Sequence, residues 1–206
     1  MQGISLRDDC GLWWPDYDHD PVKCLSFVMR GLKDSDITAR YSKHHRTVVQ
    51  AGGHVGLWPM RLAQTYAKVL TFECEPLLAE CIRRNAAQYA NIVVHGKALG
   101  ATVETVKMRG HVSAGSWNIH PNGKHVAEQT TIDALGLDDC DAIILDVEGY
   151  EVQALTGARE TITRCSPVLH VEELPRAAQG IHEFMRGIGY RLRAKVHADC
   201  IYTKGN

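Results

Sequence analysis

The chain has 206 residues, 45% hydrophobic and 23% charged, which gives room for one domain of ordinary globular composition and argues against disorder or a fibrous repeat. No apolar run approaches the roughly 18 residues of a membrane helix, so membrane insertion is not expected. Twenty-three basic residues against 24 acidic ones leave a formal charge of −1, which removes a global basic field for nucleic acid while leaving room for a local patch.

The opening MQGISLRDDC carries neither a basic leader nor an apolar export segment. Cys10, Cys24, Cys74, Cys81, Cys140, Cys165 and Cys200 form no CxxC pair, and an odd count predicts reduced thiols in a cytoplasmic setting. Residues 8–20 form an acidic, aromatic head with little periodicity. Asp16, Asp18 and Asp20 alternate as in a calcium loop, but the positions that follow lack that loop's Gly and distant Glu. Asp20-Pro21 then opens a helix through PVKCLSFVMRGL. Residues 1–45 are expected to cover a domain spanning 46–206. Trp13 and Trp14 read as packing residues of that cover, with a place on a cleft wall as the alternative.

The body alternates strand and helix. Strands are predicted at 47–51, 69–73 and 91–95, with helices over 55–67 and from Pro76 to about 89, an order that calls for a parallel sheet. Residues 97–140 are less regular: a hairpin through 101–113, a Gly/Ser/Asn/Pro-rich loop through 114–124 and a short strand near 125–130. Asp141–Val147 is an apolar strand ending in acid. Strands near 167–172, 190–195 and 199–203, with a helix at 175–187, complete the pattern, and the last two strands suit an antiparallel finish.

Three groups of residues carry chemistry. Gln50-Ala51-Gly52-Gly53-His54-Val55-Gly56 is a glycine turn at a strand end, where backbone amides and the following helix start can approach a carboxylate or phosphate. Glu73, at the end of the next strand, is placed to accept hydrogen bonds from ribose hydroxyls. Together they indicate an adenosine-containing ligand without separating a dinucleotide from S-adenosylmethionine. Asp146 and Glu148 follow the buried strand Ala142–Leu145 at the sheet's carboxyl edge, and Glu172 ends another strand that can bring it to Asp146. Such acids can orient a hydroxyl, bind a divalent ion or accept a proton, so metal dependence stays open. His120, in the loop Asn118–Gly123, is a further candidate proton acceptor.

This combination resembles the FkbM-type methyltransferases, a branch of the S-adenosylmethionine-dependent Rossmann-like enzymes. The resemblance covers about 46–174 through VVQAGGHVG, VLTFECEP, TIDALG, AIILDVEGYEVQALTGA and PVLHVEEL, with DVEGYE its most specific piece. It implies an α/β, mostly parallel seven-stranded sheet with an antiparallel last strand. It also implies methyl transfer from S-adenosyl-L-methionine, commonly to oxygen on sugars or specialised metabolites, with S-adenosyl-L-homocysteine as product. By this resemblance Gln50, Gly52, Gly53, His54, Gly56 and Glu73 are cofactor contacts, Asn85 is structural, and Asp146, Glu148 and Gly149 form the D-x-E-G signature. Gly53, His54 and Cys74 stand where Ala, Asn and Pro are frequent. Gln50 is the main departure, since the family usually carries an Asp there to orient the cofactor's amino-acid end.

The expected partner is therefore a small-molecule or carbohydrate acceptor; the oligomeric state is left open. Rival readings are a non-catalytic nucleoside-binding protein on the same fold, which Gln50 and the unusual head would suit, and an NAD-dependent oxidoreductase, whose glycine fingerprint Ala51 breaks. A nucleic-acid methyltransferase would want an Asn/Asp-Pro-Pro-aromatic loop that 146–149 lacks. His44-His45 and His120/His125 form no complete zinc framework.

Overall fold

The computed structural model describes residues 3–110 and 113–205. The head, unpatterned in sequence, forms an antiparallel hairpin of β1 (Ile4–Arg7) and β2 (Leu12–Pro15). Helix α1 (Pro21–Tyr41) follows, with Asp20 as its N-cap, accepting from the Lys23 N–H at 3.1 Å. The alternating aspartates are used locally: Asp16 accepts from the Ser5 hydroxyl and Asp18 from the Trp14 indole N–H, both at 2.7 Å. Among the described residues no group of three or more His, Cys, Asp and Glu side chains is arranged to hold a metal ion.

The body begins with β3 (Thr47–Ala51), buried at every position, then α2 (Leu57–Leu62) and β4 (Lys68–Phe72). Helix α2 is shorter than the 55–67 predicted from spacing. Tyr66 turns inward to bond Ser42 at 2.8 Å, and the Asn91 amide donates to the Ala63 and Tyr66 carbonyls at 2.9 Å each. Those bonds replace the next helical turn. Next come α3 (Pro76–Asn85), β5 (Ile92–His95) and β6 (Ala98–Leu99). Strands β7 (Glu104–Arg109), β8 (Asn118–Ile119) and β9 (His125–Thr130) form, with β6, a side sheet ordered β6-β9-β7-β8. This replaces the hairpin expected within 101–113, of which positions 111–112 lie outside the described residues. Val106 and Met108 alternate inward from β7 and pack with Ala127 of β9, so the apolar face selects the more distant partner.

The chain finishes with β10 (Ala142–Leu145), α4 (Glu151–Thr156), α5 (Arg159–Cys165), β11 (Val168–Glu172), α6 (Ala178–Gly187), β12 (Tyr190–Val196) and β13 (Asp199–Lys204). The seven-stranded sheet runs β12-β13-β11-β10-β3-β4-β5. Only β13 is antiparallel to its neighbours, as the short turn from β12 requires. Successive strands step outward from β3 to one side and from β10 to the other. That reversal opens a crevice beyond their carboxyl ends, which is where the side sheet and α1 approach.

The head is tied down by Asn85. Its Oδ1 accepts from the Trp13 N–H at 2.7 Å, and its amide donates to the carbonyls of Trp13 at 2.9 Å and Val55 at 2.8 Å. Trp14 is buried and the Arg84 guanidinium lies 4.3 Å from the Trp13 ring centroid, so both tryptophans are packing residues. Asn85→Ala leaves three partly buried backbone groups without their partner. A loss of about 2–3 kcal/mol is expected in denaturant unfolding, with the circular-dichroism spectrum of the folded protein retained.

Candidate active site

The glycine turn is shaped by crowding. Gly52 has φ +83°, and a Cβ there would sit 1.9 Å from the Asp146 carbonyl oxygen at the end of β10. A Cβ on Gly53 would meet Ile82 at 2.5 Å and the Thr71 hydroxyl at 2.8 Å. Neither position tolerates a side chain without moving a neighbour. The Gly52 and Gly53 N–H groups, expected to face a ligand, instead donate to the Phe72 carbonyl at 3.0 and 3.2 Å. The turn therefore sets the shape of the crevice more than it supplies donors to it.

Gln50 is buried within this turn. Its amide donates to the carbonyls of Ala51 at 3.1 Å and Gly52 at 2.9 Å, and its Oε1 accepts from the Thr71 hydroxyl at 2.6 Å. Gln50 thus braces the turn and does not line the main cleft.

Glu73 sits just past β4 with one carboxylate oxygen on the His54 N–H and the other on the Glu75 N–H, both at 2.9 Å. Each oxygen keeps acceptor capacity for a further donor. Burial outweighs these bonds and pushes its pKa up to about 7. His54, held at φ +50° by the bond to Glu73, stacks edge-on to Trp14 with its Nε2 3.3 Å from the Cys24 sulfur. Burial pushes its pKa down to about 4, so the ring is neutral near pH 7.

The tips of β10, β11 and β13 carry the acids. Asp146 is solvent-exposed where it opens into the cleft, yet desolvation first, then the negative charge of Glu172, Asp199, Glu148 and Glu151, raise its pKa above the usual carboxylate range. Glu172 rises for the same reasons, with Glu148 its largest charged neighbour. Glu148 is held at φ +54°, a costly conformation for a side chain this size, and its own pKa rises by desolvation against the opposing pull of Arg176. Two contacts maintain the turn. Arg176 donates to the Glu148 carbonyl at 2.9 Å, and buried Glu151 accepts from the N–H groups of Val147 at 3.1 Å and Gly149 at 3.0 Å.

One cleft of about 390 Å³ joins Glu73 at one end to Asp146, Glu148, Glu172 and Asp199 at the other, within the roughly 300–1,000 Å³ of small-molecule sites. Phe72, Leu78 and Leu99 give it an apolar side, while Val28 of α1 and Trp117 of the side sheet roof it. Gly52 and His54 line it too; Gly53 and Gly56 shape it from behind. His120 is not on its wall. The His120 ring accepts from the Asn122 N–H at 3.1 Å and so closes a turn of the loop. The residue that sequence reasoning missed is Asp199. Its antiparallel register opposite Glu172 brings it to the acids, and no local motif marks it.

The sequence profile described as the Methyltransferase FkbM domain matches residues 50–192. The chain belongs to this family of S-adenosylmethionine-dependent methyltransferases. Solved structures give the same fold. The methyltransferase FkbM from Methylobacillus flagellatus KT is 19% identical with a TM-score of 0.59, the match covering 76% of this chain and 43% of that one. This FkbM domain protein therefore spans well under half of that relative. An rRNA methylase from Streptococcus thermophilus is 13% identical with a TM-score of 0.54, covering 84% and 95% of the two chains. A putative methyltransferase from Streptococcus mutans, solved with S-adenosylhomocysteine, is 11% identical with a TM-score of 0.51, covering 82% and 93%. No curated protein matches the sequence.

The titration of Glu73 has a sign that can be checked. Its folded pKa is raised from 4.5 to about 7, so the folded state holds the proton more tightly. The stability this contributes is full below the unfolded value and is lost as pH rises through 7. Asp146 and Glu172 act in the same direction. His54, lowered to about 4, opposes them only below its unfolded value of 6.5. The ligand-free protein is expected to melt at a higher temperature at pH 6.5 than at pH 8, and Glu73→Gln should flatten that slope; a slope of opposite sign in thermal scans would contradict the assignment.

Proposed function

We propose that this chain transfers the methyl group of S-adenosyl-L-methionine to a hydroxyl oxygen of a carbohydrate or another small molecule. The supporting observation is that Glu73 and the acids at the tips of β10 and β11 line the same cleft. The residues present suit the cofactor. Glu73 has acceptor capacity for two ribose hydroxyls, Phe72, Leu78 and Leu99 offer an apolar surface for a base, and the acid-rich end is matched to a cation. The same negative end repels a phosphate backbone and favours a small acceptor over nucleic acid. Free thiols at all seven cysteines suit a cytoplasmic setting.

When bound, S-adenosylmethionine supplies a methyl group already activated on a sulfonium. The protein's part is then alignment and proton handling. Glu73 fixes the donor's ribose. Asp146 and Glu148 face the acceptor, hydrogen-bond its hydroxyl and hold it in line. Desolvation, and after it the neighbouring negative charge, make Asp146 in its ionised form a stronger proton acceptor than an ordinary carboxylate, so it would take the hydroxyl proton as the C–O bond forms and the methyl–sulfur bond breaks to leave S-adenosylhomocysteine.

Calorimetry with S-adenosylmethionine, S-adenosylhomocysteine and NAD tests the first half of this reading. Binding of the two methyl-cycle ligands without NAD is expected, and preference for NAD would overturn it. Glu73→Ala should weaken S-adenosylhomocysteine binding by roughly tenfold or more, the scale of hydrogen bonds to a charged group. An acceptor screen tests the second half. Asp146→Asn and Glu148→Gln should keep S-adenosylhomocysteine affinity within a few fold, while Asp146→Asn lowers turnover by about 10²–10⁴. Protein that binds the ligands yet methylates nothing would support the binding-module alternative.

A further inference from the structure

His170 lies in the middle of β11, 1% exposed, in a strand otherwise apolar until its end. A buried imidazole is costly unless its nitrogens are hydrogen-bonded. One nitrogen is satisfied: Nδ1 is 2.6 Å from the Thr38 hydroxyl of α1. The ring also meets Trp58 edge-on, with centroids 5.5 Å apart. Nε2 has no hydrogen-bond partner and stands 3.6 Å from the nearest Asp199 carboxylate oxygen, beyond direct hydrogen-bonding distance.

Next to this nitrogen is a second, separate cavity of about 20 Å³, lined by Gln50, Gly52, Trp58, Asp146, His170 and Asp199. Its size is that of one water molecule, and its walls carry the two to four polar groups that hold a buried water. Gln50 cannot fill the role, because its amide and its oxygen are both engaged elsewhere. A buried nitrogen without a hydrogen-bond partner, at the wall of a water-sized hole that carboxylates also line, is the setting in which an ordered water serves several polar groups at once.

We propose that His170 is a positioning residue that acts through one ordered water on Asp199 and Asp146, fixing from behind the carboxylate that faces the methyl acceptor. The assignment of Asp146 to the acceptor rests on the function proposed above; the water bridge does not. In this arrangement Thr38 donates its hydroxyl proton to Nδ1, so Nε2 carries a proton and donates it into the cavity. The water passes this donor character to the carboxylates. Thr38 faces the ring from α1, Trp58 from α2, Gln50 from β3, Asp146 from β10 and Asp199 from β13. Asp146 in turn faces Glu172, Glu148 and Glu151. Partners of this kind typically govern activity by 10- to 100-fold where they orient a functional group.

Three measurements on the full chain test the proposal without a known acceptor. A crystal structure that resolves waters should show one between His170 Nε2 and the Asp199 and Asp146 carboxylates; an empty cavity overturns the bridge. Nitrogen-15 imidazole spectra should show His170 protonated on Nε2, with Thr38→Val disturbing that tautomer, and a wild-type ring protonated on Nδ1 would contradict it. Carboxyl-carbon titration should show the coupled Asp146–Glu172 midpoints rising by about half a pH unit or more in His170→Phe, because a donor that favours the charged form is gone. His170→Gln, whose amide nitrogen reaches nearly the place of Nε2, should restore them. Midpoints unchanged in His170→Phe mean that the residue only packs. If Phe fails to fold, the Thr38→Val spectra and the Gln variant carry the same decision. S-adenosylhomocysteine calorimetry on the same samples separates the two failures: no binding sinks the functional reading, while the water and the titration still decide the role of His170.

Discussion

The closeness of two backbones at the centre of the sheet governs the site. β3 and β10 are paired in register up to Ala51 and Leu145, and the next residue of each strand, Gly52 and Asp146, would collide if Gly52 carried even a methyl group. Because the contact is with a carbonyl oxygen of the backbone, no side-chain rearrangement relieves it. The turn can therefore run close beside the D-x-E-G loop only with glycine at 52. That proximity puts Glu73, anchored to His54 on the far side of the turn, into the same cleft as Asp146.

A cost follows from bringing acids to three adjacent strand tips. Parallel strands deliver their carboxyl ends to one edge, so a carboxylate at the end of β10 or β11 meets those of its neighbours at the mouth of the cleft. The protein does not neutralise them with a matching set of bases. Arg176 reaches the Glu148 carbonyl and opposes the rise in the Glu148 pKa without cancelling it, and Asp146 and Glu172 are raised too. Such strain is tolerable where a cationic ligand relieves it, and a site of this kind gains stability on binding. The core on either face of the sheet, closed and apolar, supplies the stability against which the acids are held.

Sequence legibility followed the range of the interactions involved. The alternation of strands and helices, the antiparallel ending and the helix start at Asp20 were readable because each depends on local pattern or on a short connection, whereas Asn85, whose partners lie 72 and 30 residues away, was legible only through the family resemblance. Glycine at 52 and acids at 73, 146 and 172 were readable because strand ends in this fold converge on one edge. The head hairpin was missed because Ile4–Arg7 and Leu12–Pro15 are short and find their stability on α3, not in their own alternation. The partner of β7 was missed because a return within 101–113 is the shorter connection, whereas the apolar face shared with β9 decides the pairing. His120 was chosen for its chemistry and its neighbourhood in sequence, but its loop turns it onto Asn122. His170 was passed over inside an apolar strand, where no sequence signal separates a packing histidine from one aimed at a polar cavity.

Gln50 is best understood from this charge balance. An aspartate is common at the position in the family, yet it would offer only acceptors to a turn that here needs donors for the Ala51 and Gly52 carbonyls. It would also add a buried negative charge beside Asp146, whose pKa is already raised by its neighbours. The neutral amide does both jobs at once, donating to the turn and accepting from Thr71. In this chain the glycine turn is neutral, and the acids that line the cleft stand at the tips of β10, β11 and β13, as Asp146, Glu172 and Asp199. The neutral amide and the crowding of acids are then one arrangement: a site with this much negative charge at its strand tips is relieved by leaving the glycine turn without any.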